Sequence, residues 1–129
     1  MLSPRGTNML RLLIVEDNNI FRQTLRESLQ TSFPKIAIDE AGNGAEALKR
    51  VNVSAPDLIL MDVRLPGESG LALTQKIKAI YPDIIIFILT SYDSRECREA
   101  ASRYGADRYI PKESLKRVEE LIKSYFKVL

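Results

Sequence analysis

The sequence has no histidine, no tryptophan and a single cysteine, Cys97. Without an imidazole there is no ordinary zinc site and no side chain to carry a phosphoryl group on nitrogen. Any phosphate handled here must come from another molecule. One thiol cannot staple a fold, so Cys97 reads as a small packed hydrophobe. Long apolar runs are also missing: the longest, Ile84 to Leu89, has six residues, against about 20 for a membrane span. The N-terminus lacks the apolar segment of a signal peptide, and the expected compartment is the cytoplasm. Nor does one sign of charge dominate. The 19 Lys and Arg stand against 17 Asp and Glu, a net charge of +2, with no basic block to grip a phosphate backbone. Direct nucleic-acid binding is disfavoured.

What remains is 129 residues, 45% hydrophobic and 28% charged, enough for one core and one domain. Residues 1–8 show no periodicity and read as a flexible tail, leaving 9–129 as the folded domain. Met9 to Val15 is a nearly continuous apolar run ending on Glu16-Asp17, the pattern of a strand buried on both faces. Phe21, Thr24, Leu25, Ser28 and Leu29 then recur at helical spacing, with Asn18 or Asn19 as N-cap. Ile36 to Ala41 alternates as an edge strand, and Asn43 with Glu46 opens a helix through Ala47, Leu48 and Val51. Leu58 to Met61 is wholly apolar and stops at Asp62, just before Pro66-Gly67. A helix with Leu73, Ile77 and Ile80 inward ends at Tyr81-Pro82. Ile84 to Leu89 ends on Thr90. The next helix, through Cys97, Ala100, Ala101 and Tyr104, stops at Gly105. Arg108 to Pro111 leads to Lys112, and Ser114 caps a last helix presenting Leu115, Val118, Ile122, Tyr125 and Leu129. Leu121 and Phe126 widen that stripe, which marks either a candidate surface for a homodimer or partner or a chain end that folds them in.

Apolar strands alternating with amphipathic helices predict an α/β fold: one doubly wound five-stranded parallel sheet with helices on both faces. All parallel strands point one way, so the residues at their carboxyl ends meet on one rim, where open α/β sheets bind ligands. Glu16, Asp17, Asp62, Thr90 and Lys112 stand there. Three carboxylates against one ammonium leave a charge deficit that suits a hard divalent cation, magnesium above all. Its expected ligands are Asp17, Asp62, the backbone carbonyl of Arg64 and waters, with Glu16 acting through water. A carboxylate beside such an ion, with a hydroxyl and an ammonium at hand, is equipped for in-line phosphoryl transfer onto Asp62.

With these residues in place, the chain resembles the receiver domains of two-component response regulators. The resemblance runs from about Met9 onward. It rests on Glu16-Asp17, on Asp62 with Pro66-Gly67 and Gly70, on Thr90, and on Gly105-Ala106-Asp107 with Tyr109 and Lys112. It implies the flavodoxin-like strand order 2-1-3-4-5. It also implies a Mg2+ site at Glu16, Asp17 and Asp62, and phosphorylation of Asp62 from a histidine kinase or His-phosphotransfer protein. Thr90 and Lys112 would contact the phosphoryl group, and Tyr109 would turn inward when Thr90 moves. Such a protein catalyses only its own phosphorylation and dephosphorylation. It passes the signal to a downstream protein or, if cut from a longer regulator, to its own output domain, and phosphorylation-dependent pairing fits the same scheme. Here Glu113 follows Lys112 where many members have proline, and Ser91 stands where alanine is common. The positions two beyond the acceptor and two beyond the threonine, Arg64 and Tyr92, are bulky and are expected to shield the acyl phosphate and slow its hydrolysis.

Two other readings share the same residues. One is a receiver-like binding module that is never phosphorylated. The other is a magnesium-dependent hydrolase working through an aspartyl phosphate, but such enzymes place an acid where Arg64 stands and add a cap domain.

Overall fold

A computed structural model describes residues 9–127. The tail 1–8 and Leu129 of the last helical stripe lie outside the described residues. In chain order the elements are β1 (Arg11–Val15), α1 (Asn19–Ser32), β2 (Ala37–Ala41), α2 (Gly44–Val53) and β3 (Leu58–Asp62). A short pair follows, β4 (Arg64–Leu65) and β5 (Glu68–Ser69), then α3 (Gly70–Ile80), β6 (Ile85–Thr90), α4 (Arg95–Arg103), β7 (Arg108–Pro111) and α5 (Leu115–Phe126).

The main sheet has five parallel strands in the order β2-β1-β3-β6-β7. This is the doubly wound arrangement that the alternation of apolar strands and helices requires. Successive side chains of a strand face opposite sides, and both sides are covered. Leu12, Ile14, Leu58, Leu60, Phe87 and Leu89 face one cluster with Leu25, Leu29, Val118 and Ile122 from α1 and α5. Leu13, Val15, Ile59, Met61, Ile86 and Ile88 face the other, with Ala47, Val51, Leu73 and Ile77 from α2 and α3. Burial of each such side chain contributes about 1.5–3 kcal/mol, so the three central strands are the least exchangeable part of the molecule.

The helix starts follow the expected chemistry with one exception. Asn18 Oδ1 accepts from Phe21 N at 3.0 Å and Asn43 Oδ1 from Glu46 N at 2.8 Å. Ser114 occupies the N-cap of α5 but makes no side-chain cap bond. Across the outside of the sheet, Ser28 and Ser32 of α1 both donate to Glu119 of α5, at 3.1 and 2.8 Å.

The structure adds to, corrects or decides between the sequence expectations at four points. The hairpin β4–β5 was not anticipated. It forms because Pro66-Gly67 makes a two-residue turn with Gly67 at φ 79°, a value open to glycine. Ile80 does not point inward but is 64% exposed, because α3 ends there and the sheet no longer covers that face. Thr24 of the α1 pattern is exposed as well. Leu121 and Phe126 are buried in the α1–α5 cluster, so of the two readings of the widened stripe on α5 the folded-in one holds for these residues.

At the amino edge of the sheet two acids are bound to main-chain amides. Asp57 Oδ2 accepts from Arg11 N and Asp107 Oδ2 from Ile86 N, each at 2.9 Å. Lys78 adds an ion pair to Asp107 at 2.8 Å. Among the described residues no helix is long and apolar enough to cross a membrane.

Candidate functional site

The carboxyl edge is built differently. Asp62 closes β3, the central strand, paired to β1 on one side and β6 on the other. Glu16 follows β1 directly and its N–H donates to Ala41 O at 2.9 Å, which fixes the strand exit. Glu16, Asp17 and Asp62 each present a carboxylate oxygen within 4.8 Å of the others. Glu16 and Asp62 are buried while Asp17 is exposed, so the cluster opens to water on the Asp17 side.

Lys112 enters from the end of β7, its N–H bonded to Thr90 O at 2.8 Å. Its ammonium lies 2.6 Å from Glu16 Oε1 and 3.4 Å from Asp62 Oδ1. The second oxygen of Glu16 accepts from Asn18 N at 3.0 Å. Glu16 is thus satisfied twice, and Asp62 holds the looser share of the lysine. The carboxyl of Asp62 is pushed up from 3.8 to about 6, first by burial and then by the charge of Glu16, with Lys112 opposing both. Charge at this mouth remains unbalanced.

Gly70, the first residue of α3, lets the chain pass this point. A Cβ there would stand 1.8 Å from the carbonyl oxygen of Asp62. Its N–H instead donates to Val63 O at 2.7 Å, so α3 is drawn against the strand end that carries the acid.

Thr90 is at the end of β6, 1% exposed, and its hydroxyl belongs to the loop beyond it. Oγ1 accepts from Tyr92 N at 2.9 Å and lies 3.3 Å from Tyr92 O. Tyr109, on β7, donates its hydroxyl to the same Tyr92 carbonyl at 3.0 Å. Its phenol is pushed up to about 12, chiefly by burial and then by Cys97, so at neutral pH it remains a donor. Tyr92 is the junction of the two groups. Its own ring is 56% exposed and carries the Arg64 guanidinium 4.8 Å from its centroid, so the two bulky positions stack across the rim.

The structure therefore brings together Glu16, Asp17, Asp62 and Lys112, and connects Thr90, Tyr92 and Tyr109 through one backbone residue. Two contributors went unread in the sequence. Arg22 donates to Glu16 O at 2.5 Å and to Glu40 Oε1 at 2.9 Å, tying the acidic loop to β2. The ring of Phe21 lies 4.6 Å from the Lys112 ammonium. Both sit on the polar-to-apolar boundary of α1, where helical spacing alone identifies core residues but not what they touch.

The donor set fits a hard divalent cation: three carboxylate oxygens at mutual distances a single ion can bridge, one of them open to water.

A profile of the family described as "Response regulator receiver domain" matches residues 12–125. Among curated proteins, the response regulator MprA of Mycobacterium leprae is 35% identical over 119 residues, covering 88% of this chain and 51% of MprA. The chain spans about half the length of the curated relatives it matches. Among solved structures, TrrA from Thermotoga maritima in complex with Mg(2+)-BeF superposes with a TM-score of 0.80 at 35% identity, covering 90% of this chain and 98% of that one. A Burkholderia pseudomallei response regulator with a phosphorylated aspartic acid gives 0.78 at 28% identity, covering 89% and 71%.

Proposed function

The chain belongs to the family of response regulator receiver domains, signalling domains controlled by phosphorylation, and from that premise we propose that Asp62 is its phosphoacceptor. One observation carries the assignment. Asp62 is the acid that ends the central strand, within reach of two other carboxylates and 3.4 Å from a lysine ammonium. Family membership points to a histidine kinase or His-phosphotransfer protein as donor, and the phosphohistidine would be theirs, since these 129 residues include no histidine.

In the transfer, an Asp62 oxygen attacks phosphorus, the new P–O bond forms in line with the breaking P–N bond, and the donor imidazole leaves. Glu16, Asp17, Asp62 and the Arg64 carbonyl would hold Mg2+, which supplies charge stabilisation to the phosphoryl oxygens. Lys112 gives a further oxygen a charge-assisted hydrogen bond. Thr90 is positioned to respond. Its hydroxyl leaves Tyr92 N for the acyl phosphate, the loop after β6 follows, and Tyr109 loses its acceptor and turns inward. Arg64 and Tyr92, two positions beyond Asp62 and Thr90 and in contact with each other, would exclude the water that hydrolyses the product. The domain thus catalyses only its own phosphorylation and dephosphorylation. It acts in the cytoplasm through a downstream protein, or through an output domain where it forms part of a longer regulator, with 9–129 as the bounds of the receiver unit.

Incubation with acetyl phosphate and magnesium, followed by intact mass, tests this. Stoichiometric label in the wild type, absent from Asp62→Ala, is expected. No label on the wild type would leave an unphosphorylated binding module, and sustained turnover of unrelated phosphomonoesters would make it a hydrolase.

A further inference from the structure

We propose that Phe21 is a positioning residue for Lys112: its ring face keeps the ammonium at the mouth of the site while leaving N–H groups for a phosphoryl oxygen. The inference deepens the reading of Lys112 as a phosphoryl contact and rests on it.

Lysine carries its charge on a flexible four-carbon stem, so its location must be imposed by neighbours. The carboxylates draw it towards Glu16, since Lys112 lies 2.6 Å from Glu16 and 3.4 Å from Asp62. A cation beside Glu16 would compete with the ammonium for that carboxylate's charge and weaken the lysine's tighter anchor. The ring of Phe21, with the ammonium 4.6 Å from its centroid, remains. A ring face attracts positive charge through its quadrupole. It cannot be claimed by a metal, and it holds the ammonium without drawing directed hydrogen bonds away from other acceptors. Phe21 is itself fixed from two sides. Its N–H is held by the Asn18 cap at 3.0 Å, and its ring packs against the α1–α5 core cluster. The lysine side chain is only 16% exposed, so the contact is shielded enough to hold.

The test replaces Phe21 by phenylalanines bearing one, two and three ring fluorines, which preserve shape while weakening the quadrupole, and adds Phe21→Leu. Phosphorylation by acetyl phosphate with magnesium is timed by intact mass. The expected result is a stepwise slowing that reaches about 3- to 30-fold in Phe21→Leu, the range a cation–π contact provides, with melting temperatures unchanged across the fluorinated series. In metal-free protein, the Lys112 ε-methylene protons should be shifted upfield by the ring and return to ordinary values in Phe21→Leu. A rate that is flat across the series, or lysine protons unmoved in Phe21→Leu, overturns the proposal. The control is Lys112→Ala. If it is slow while the fluorinated series is flat, only the role of Phe21 falls; if it labels as fast as wild type, the reading of Lys112 falls, and Phe21 with it.

Discussion

Asp62 is where reactivity is taken from stability. Its folded titration near 6, against 3.8, reflects burial and the neighbouring Glu16. An acid with a raised folded value favours the fold while protonated. That contribution is complete below 3.8 and is lost as pH rises through about 6. At neutral pH the ionised carboxylate therefore destabilises the metal-free domain. Asp62→Asn should raise its stability there by about 1–3 kcal/mol, roughly 3–15 °C in melting temperature, and the gain should shrink towards about pH 4, where the unfolded carboxyl is itself about half protonated. Calorimetry at several pH values checks this, and a difference that does not change with pH would refute it. Arg64 and Tyr92 carry the second prediction at this scale. Their guanidinium–ring contact is 4.8 Å; if the pair shields the proposed acyl phosphate on Asp62, Arg64→Asn with Tyr92→Ala should shorten its lifetime. Loss of label from isolated protein measures it; a longer lifetime in the double variant would count against shielding.

Among the elements, the strands and helices were legible because their apolar periods are strong. Leu58 to Met61 has no polar face, so it had to be central. The hairpin β4–β5 escaped because two residues per strand show no period, although Pro66-Gly67 was visible as a turn. Ile80 continued the α3 pattern past the point where anything covers it. The rim residues Glu16, Asp17, Asp62, Thr90 and Lys112 were legible because each follows an apolar run, whereas Phe21 and Arg22 were not. They look like ordinary helix positions until the distant residues they touch are placed beside them. The junction of β3 and α3 gives this scale its prediction. A methyl group at residue 70 would meet the Asp62 carbonyl at 1.8 Å. Gly70→Ala should cost about 3 kcal/mol or more, as overpacking against rigid backbone does, and should weaken magnesium binding by displacing Asp62. Denaturant unfolding and magnesium titration of the same sample read both effects; wild-type values in both would show that α3 can retreat freely.

Across the whole molecule, two regions are tied down in different ways. On one side α1 and α5 are joined through Glu119 to Ser28 and Ser32. On the other, the loop after β6 is held to the site by the bonds that Thr90 and Tyr109 make to the backbone of Tyr92. Phosphorylation should therefore raise amide exchange at Tyr92 and alter it from Thr90 to Cys97 and from Tyr109 to Lys112, leaving α1 and α2 unchanged. Hydrogen-exchange mass spectrometry of labelled and unlabelled protein would detect it, and a uniform change would rule out a switch confined to that face. The acids of the opposite edge give the domain a polarity of another kind. Asp57 and Asp107 already accept from strand amides at 2.9 Å, whereas Glu16, Asp17 and Asp62 crowd one another. Although carboxylates stand at both poles, among the described residues only Glu16, Asp17 and Asp62 bring three of them within reach of one hard ion, so a paramagnetic lanthanide would seat at a single address and turn the domain into its own orientation compass in a magnetic field.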